Sequence, residues 1–320
     1  MFDIISIGDS TQDVFIEVEE SEVHCHKGSG KCHICFDWAT KLAIKSLHDL
    51  VGGNAANNAV GSARLGLKAG FYCEVGDDDT GRKIINALKK DGVSLKYFKV
   101  NKKIKSNYSI VINKGAERTI LVYHEKRNYK LPKLDKSKWI YLTSAGKGSE
   151  RMFLDIIIYV KKTGAKLGFN PGTHQMNLGL KKLLPLFRIS EVVSLNVEEA
   201  QFIFGEGKRD VKLLLRRLKD TGTKIAVITD GPKGSYAYDG KRYYFCPIYD
   251  VPIVERTGCG DAYTTGFICA LIYGLGVKEA MRWGTFNASG VIQKIGPQAG
   301  LLYKKDMLKL AKKRLKVREI

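Results

Sequence analysis

From about residue 50 onward, short β-rich runs alternate with amphipathic stretches along the chain. Phe71-Tyr72-Cys73-Glu74-Val75 precedes a helical pattern from Thr80 to Asp91, and Trp139-Ile140-Tyr141-Leu142 precedes Met152 to Lys162, where the apolar spacing is again helical. The segments Lys166–Phe169, Glu191–Leu195 and Lys224–Ile228 read as further short strands, and the opening residues Met1 to Gly8 as a buried first strand. The last apolar block, Ala262 to Tyr273, is long enough for a buried helix. Such alternation predicts an α/β fold, a mostly parallel sheet with helices on both faces.

Two segments break the rhythm. Residues 11–48 hold one early strand-like run and then a polar stretch rich in Cys and His. Within 104–126, Asn107 to Ile112 and Arg118 to His124 read as two strands joined by Asn113-Lys114-Gly115-Ala116-Glu117, a hairpin pattern. Together they predict a small β-rich subdomain inserted into the core, suited to a lid that keeps water from a reacting group.

Composition narrows the classes. The chain has 320 residues, 44% of them hydrophobic and 27% charged, ample for a sizeable core. No apolar run approaches the roughly 20 residues of a membrane span, and the N-terminus lacks the basic and apolar regions of a signal peptide. A cytoplasmic protein with no membrane partner is expected, its seven scattered cysteines reduced. The net charge of +20 is the outlier. It fits either a nucleic-acid partner or a lysine-rich surface that attracts anionic substrates. Lys309 to Lys316 has helical periodicity and reads as a solvated basic face; no zinc-finger spacing or RNA-recognition signature accompanies the charge.

The segment from Ile253 to Tyr263 runs from a strand through Gly258-Cys259-Gly260 into a helix carrying Asp261 in its first turn. Glycines let backbone approach an anion, and the free N–H groups at a helix start point at it. Asp261 there is placed either to accept a hydroxyl proton or merely to cap the helix; spacing alone does not separate the two.

These residues resemble the C-terminal signature of the ribokinase-like (PfkB) carbohydrate and nucleoside kinases, D-T-x-G-A-G-D. The resemblance implies a three-layer α/β/α core with a mostly parallel sheet and a small β-rich lid, in one kinase domain over 1–320. It also implies that Gly258, Cys259 and Gly260 form an anion hole and that Asp261 is the catalytic base. Glu255 and Arg256 replace the opening Asp-Thr, which bears on a monovalent-cation site that some members build nearby; Cys259 replaces the usual Ala.

Other matches follow in the family's order. Asp13, in Gly8-Asp9-Ser10-Thr11-Gln12-Asp13, matches the Asp that bonds sugar hydroxyls. Gly52, Gly53 and Asn57 lie in Gly52-Gly53-Asn54-Ala55-Ala56-Asn57, similar to the signature whose glycines and Asn approach the sugar. Val75 to Gly81 matches a structural V-G-x-D-x-x-G turn. Asn196 and Glu199 match the N-x-x-E pair that organises Mg²⁺ around nucleotide phosphates, where hard oxygen ligands suit the ion. Thr229, Gly231 and Gly234 match a T-x-G-x-x-G turn contacting those phosphates. The resemblance therefore implies ATP and Mg²⁺, and phosphoryl transfer to an alcohol of a sugar or nucleoside, with pairing of two copies through the lid. A sugar phosphate is the second substrate class, with Arg118, Lys126 and Arg256 as candidate cations. A non-catalytic or nucleic-acid-binding protein on the same fold is the rival suggested by the charge.

Competing motifs fail. Lys27-Gly28-Ser29-Gly30-Lys31-Cys32 lacks the first glycine of a P-loop and its Ser/Thr, and Tyr263 takes the third glycine position of a dinucleotide fingerprint. Cys25, Cys32 and Cys35, interleaved with His24, His26 and His33, fit either a structural zinc site or free thiols.

Overall fold

The computed structural model describes residues 1–18, 22–26, 32–115 and 117–320, so Lys27 to Lys31 of the P-loop-like stretch and Ala116 of the hairpin loop lie outside the described residues. The first half contains β1 (Phe2–Ile7), β2 (Thr11–Val18), β3 (Glu22–Cys25), β4 (Cys32–Cys35), β5 (Ile44–Gly52), α1 (Asn54–Arg64) and β6 (Ala69–Gly76). It continues through α2 (Asp79–Lys90), β7 (Ser94–Asn101), β8 (Tyr108–Lys114), β9 (Glu117–Tyr123), β10 (Ser137–Leu142) and α3 (Phe153–Thr163). Next come β11 (Lys166–Phe169), α4 (Thr173–Asn177), α5 (Leu180–Ile189), β12 (Val192–Asn196), α6 (Val197–Phe204), α7 (Val211–Asp220) and β13 (Ile225–Thr229). The chain ends with β14 (Ser235–Tyr238), β15 (Tyr243–Cys246), α8 (Cys259–Ile272), α9 (Val277–Val291), α10 (Lys304–Leu310) and β16 (Arg318–Glu319).

Among the described residues, ten strands form one sheet in the order β16-β15-β14-β13-β12-β11-β10-β1-β6-β7. The seven from β13 to β7 run parallel, and β14, β15 and β16 extend it antiparallel. Successive side chains on a strand point to opposite faces, and that period divides the core in two. Ile5, Ile7, Ile140, Leu142, Ala226 and Ile228 pack on one face beneath α3, α5, α6 and α7. Ile4, Trp139, Tyr141 and Val227 pack on the other beneath α8 and α9. The three layers expected from the resemblance are present.

Helix α8 is buried from Asp261 to Ala270, as its near-continuous apolar character requires. Its seam with α9 is built on glycine. A Cβ on Gly266 would stand 2.5 Å from the Trp283 carbonyl oxygen, and one on Gly284 would stand 2.8 Å from that of Tyr263.

A second sheet holds four strands in the order β5-β2-β8-β9, with β2 and β8 parallel and the outer pairs antiparallel. It gathers the two segments that broke the alternation. Against the pattern, β8 starts one residue later and ends two later, and β9 starts and ends one residue earlier.

Two expectations are corrected. Cys25 and Cys32 are joined in a disulfide across the β3–β4 hairpin, so these thiols are not reduced and not available to zinc. Cys35 pairs with Glu22 at the opposite end of that hairpin, three residue pairs away, roughly 10 Å along the strand, and no metal-binding group of three His, Cys, Asp or Glu occurs among the described residues. The basic stretch Lys309 to Lys316 is not a helix: α10 stops at Leu310. Arg282 of α9 donates to the carbonyls of Ala311 (2.8 Å) and Lys313 (2.6 Å), taking acceptors that further helical turns would have used.

Gly266→Ala and Gly284→Ala should each lower the thermal midpoint, by about 1–3 kcal/mol of overpacking. Thermal unfolding checks the sign, because alanine in an uncrowded helix would stabilise by about 1 kcal/mol instead.

Candidate active site

The C-terminal ends of parallel strands are where α/β sheets leave a crevice, and the predicted residues converge there. Asn196 and Thr229 end β12 and β13 as register partners, and Thr264 of α8 donates to Ser194 of β12 at 3.0 Å, docking the start of α8 over the same edge. Gly258 caps α8 at φ 79°, a left-handed conformation that favours glycine. It also lies against Pro297, which an added Cβ would meet at 2.5 Å. The first intrahelical bond is donated by the Ala262 N–H to the Gly258 carbonyl, and the Cys259 N–H turns back to the Arg256 carbonyl at 3.4 Å. The amides of Gly260 and Asp261 therefore precede the helical ladder and are open to an anion. A Cβ on Gly260 would meet nothing within 4 Å, so this residue fronts open space.

Asp261 is buried, and the Asn57 side-chain amide donates to its Oδ2 at 2.8 Å. Gln298 donates in turn to Asn57 Oδ1 at 3.0 Å, which holds the Asn57 amide with its NH₂ toward Asp261. Arg64, paired with Asp91 at 2.6 Å, binds the Gln298 carbonyl at 2.5 Å. Burial pushes the Asp261 carboxyl up to about 7; the Asn57 bond lowers it, and the charges of Glu199 and Asp13 raise it. Asp13 is pushed up to about 6 by burial, with Ser109 and Thr11 opposing and Glu255 adding to the rise. Burial holds the Cys259 thiol up at about 12, so it stays protonated.

A cavity of about 270 Å³ joins Asp261, Gly258, Thr257, Asn57, Gly53 and Asp13. Its other wall is one face of the four-stranded sheet: Thr11 and Asp13, Ser109 and Val111, and Arg118, Ile120, Val122 and His124, alternate residues as strand geometry demands. Gly52 packs beneath Asp13, with space so tight that a Cβ would overlap the carboxyl, at 1.9 Å from Oδ2. Of the three candidate cations, Arg118 lines the cavity, Arg256 turns to Glu117 at 2.7 Å, and Lys126 is not part of the wall. Glu255 is buried and accepts from the Thr257 amide (2.7 Å) and hydroxyl (2.6 Å), with Arg118 Nε 3.7 Å away.

On the far side of Asp261, Asn196 and Glu199 form a reciprocal capping box at the start of α6, with bonds of 2.7 and 2.8 Å. Burial raises the Glu199 carboxyl. One Glu199 oxygen remains beyond that box, and hard oxygen donors with room for retained water suit Mg²⁺; the residues fit the ion. Gly231 and Gly234 take φ of 50° and 95° in the turn after β13. Arg209 braces that turn by binding both Glu198 (2.7 Å) and Asp230. The acidic run Asp77–Asp79 is structural: Asp78 caps α2 through Gly81 and binds the Ser106 amide and hydroxyl.

The family of pfkB carbohydrate kinases matches residues 31–303. This chain belongs to the pfkB carbohydrate kinase family. A 5-dehydro-2-deoxygluconokinase of Geobacillus kaustophilus is 30% identical over 270 residues, covering 76% of this chain and 78% of its own. The ribokinase of Mus musculus is 27% identical over 277 residues, covering 80% and 82%. In fold, the structure of Arabidopsis thaliana ribokinase with ribose and ATP superimposes with a TM-score of 0.79 at 21% identity, over 98% of this chain and 99% of that one.

In this pfkB-family chain several residues in or behind the cavity wall lie outside the short motifs, Arg118 having been named only as a candidate cation. Gln298 and Pro297 lie beyond the last signature, and nothing local marks them. Arg118, Ile120, Val122 and His124 carry a signal in their spacing of two on a predicted strand, which places them on one face without saying which.

The raised Asp261 carboxyl has a consequence for stability. At Asp261 the folded protein holds a proton that the unfolded chain releases at about 4, so this group's contribution to stability falls as pH rises from about 4 to about 7 and is level beyond. Asp261→Asn removes that loss. Urea unfolding across this range should show the variant gaining on the wild type, by a few kcal/mol at neutral pH and above, on the order set by the shift, and converging toward pH about 4.

Proposed function

We propose that this chain transfers the γ-phosphoryl group of MgATP to a hydroxyl of a sugar, with Asp261 as the base. The observation that supports it most is a buried carboxyl titrating near neutrality, at a helix N-terminus whose first amides are open, on the floor of a hydroxyl-lined cavity. A base is most effective when its pKa lies near the working pH. The hydroxyl oxygen attacks the γ-phosphorus as the β–γ bridging bond breaks; its proton passes to Asp261, and ADP leaves. The Gly260 and Asp261 amides, with the turn of Gly258 and Cys259 that presents them, face the charge on the transferred group. Thr229, Gly231 and Gly234 would hold the ATP phosphates, and Asn196 and Glu199 would hold Mg²⁺, which would supply charge neutralisation there.

Asp13 and Asn57, backed by Gly52 and Gly53, orient the acceptor, and the four-stranded sheet serves as the lid that excludes water. A sugar ranks ahead of a nucleoside because the named sequence relatives are sugar kinases. Pairing of two copies through the lid belongs to the same proposal: its edge strands expose Ile44, Leu47, Leu121 and Tyr123, and sedimentation reads it directly.

Asp261→Asn should cut kcat by at least about 100-fold, the usual worth of a general base, with ATP affinity little changed by calorimetry. Retained turnover in a coupled ADP-release assay sinks the assignment. In the wild type, kcat/KM for the sugar should rise with pH toward about 7 and then level, because only ionised Asp261 can take the proton. A profile flat between pH about 5 and 8 would contradict the base.

A further inference from the structure

Asp9 follows β1 and is buried, 5% exposed. Its Oδ2 is fully engaged: the Tyr129 hydroxyl donates at 2.6 Å and the Gly146 N–H at 2.9 Å. The Gly146 N–H also reaches the Tyr129 oxygen at 2.8 Å, closing a rigid three-membered cluster. Oδ1 is buried as well and receives no donor among the described residues. Yet Asp9 lines the acceptor cavity. Buried polar atoms are almost always satisfied, so a buried carboxyl oxygen without a donor, on a residue that lines the cavity, points to a donor from a ligand.

Other unpartnered buried atoms do not share this setting. Tyr141, Ser235 and Tyr263 lie off the cavity, and Arg118, which lines it, keeps 28% of its side chain exposed. The position of Asp9 is also distinct from the reacting end. Asp261 is held by Asn57 of α1 and feels the charges of Asp13 and Glu199, whereas Asp9 is held by Tyr129 and Gly146, with His124 beside it. The wall thus offers an acceptor oxygen at each end, Asp13 near the base and Asp9 away from it.

We infer that Asp9 Oδ1 accepts a hydrogen bond from a second hydroxyl of the acceptor, remote from the one phosphorylated, so that the site takes a neutral polyol with a donor at that end. The inference rests on the phosphotransferase reading for its substrate. A phosphate or carboxylate at the same end would bring acceptor oxygens and negative charge against Oδ1. A sugar phosphate is therefore disfavoured in that orientation.

Asp9→Asn tests the polarity of this atom, because the amide oxygen can keep the Tyr129 and Gly146 donors while NH₂ replaces Oδ1. Wild type and variant are assayed with MgATP and D-ribose, D-fructose, adenosine and fructose 6-phosphate. For the best neutral acceptor, the variant should raise KM roughly 10- to 100-fold, the loss expected for a hydrogen bond to a charged group, with KM for ATP unchanged. One monodeoxy analogue of that acceptor should show the same loss in the wild type and little further loss in the variant.

Tyr129→Phe, which releases one donor from Oδ2, should raise the acceptor KM by a smaller factor and serves if Asp9→Asn fails to fold. An unchanged acceptor KM, or losses that multiply for every deoxy analogue, overturns the subsite. So does a wild type that prefers fructose 6-phosphate. If the wild type is thermally stabilised by a neutral polyol without phosphorylating it, the kinase reading fails on its own. The subsite then stands if Asp9→Asn abolishes that thermal shift and falls if the shift persists. A wild type that neither phosphorylates nor is stabilised by any member of the panel overturns both.

Discussion

A hydrogen bond of 2.8 Å from the Asn57 amide to the Asp261 carboxyl joins residues 204 positions apart, and the architecture of the site hangs on it. Burial drives the Asp261 carboxyl upward and the bond draws it back, leaving it near 7. The bond is possible because α1 and α8 lie unusually close. A Cβ on Gly61 would stand 2.8 Å from the Thr265 methyl. Asn58 spans the same seam, donating to Thr265 at 3.0 Å and accepting from Ser6 at 2.7 Å. The small residues Ala55, Ala56, Ala59 and Gly61 of α1 are therefore both the ordinary helix start they resemble and the reason that two asparagines can bridge to α8.

The turn before α8 shows how a departure from a family signature can be absorbed. Glu255 stands where the signature has Asp, and its carboxyl folds back onto the Thr257 amide and hydroxyl, bracing the turn from inside. The neighbouring Arg256 reaches Glu117, while Arg118 approaches Glu255. Adjacent residues of β9 thus face adjacent residues of the turn before α8 with charges crossed. The exposed pair contributes little by itself. The buried carboxyl is the member whose loss would matter, because it satisfies two donors that no other described residue reaches.

Legibility differed by kind of feature. The β1, β10 and β13 segments were readable as short apolar runs, because a strand that feeds two separate cores is apolar on both faces. The residues proposed for the phosphate side stand in the sequence as an ordered set of short motifs, each confined to one turn. Gln298 and Pro297 were not readable, because their roles exist only where distant chain segments meet. The Cys/His stretch misled for a related reason. Spacing along the chain suggested three converging thiolates, whereas strand pairing sets Cys25 opposite Cys32 and carries Cys35 to the other end of the hairpin. The basic segment after α10 had helical spacing too, but Arg282 offered its carbonyls a better-placed donor.

The glycine turn that enters α8 and places Asp261 in its first turn was legible in residues 253–263, since such a turn is a local conformation and needs only local residues. The proton affinity of Asp261 was not, because desolvation and the Asn57 bond are properties of packed neighbours. Likewise the sequence determined that a β-rich insertion exists, through strand periodicity and turn residues. Only the tertiary structure decided that Arg118, Ile120, Val122 and His124 line the cavity and that Asp9, which also lines it, keeps one buried carboxyl oxygen without a donor. Which face of a strand looks inward, and which buried atom lacks a partner, depends on what stands opposite.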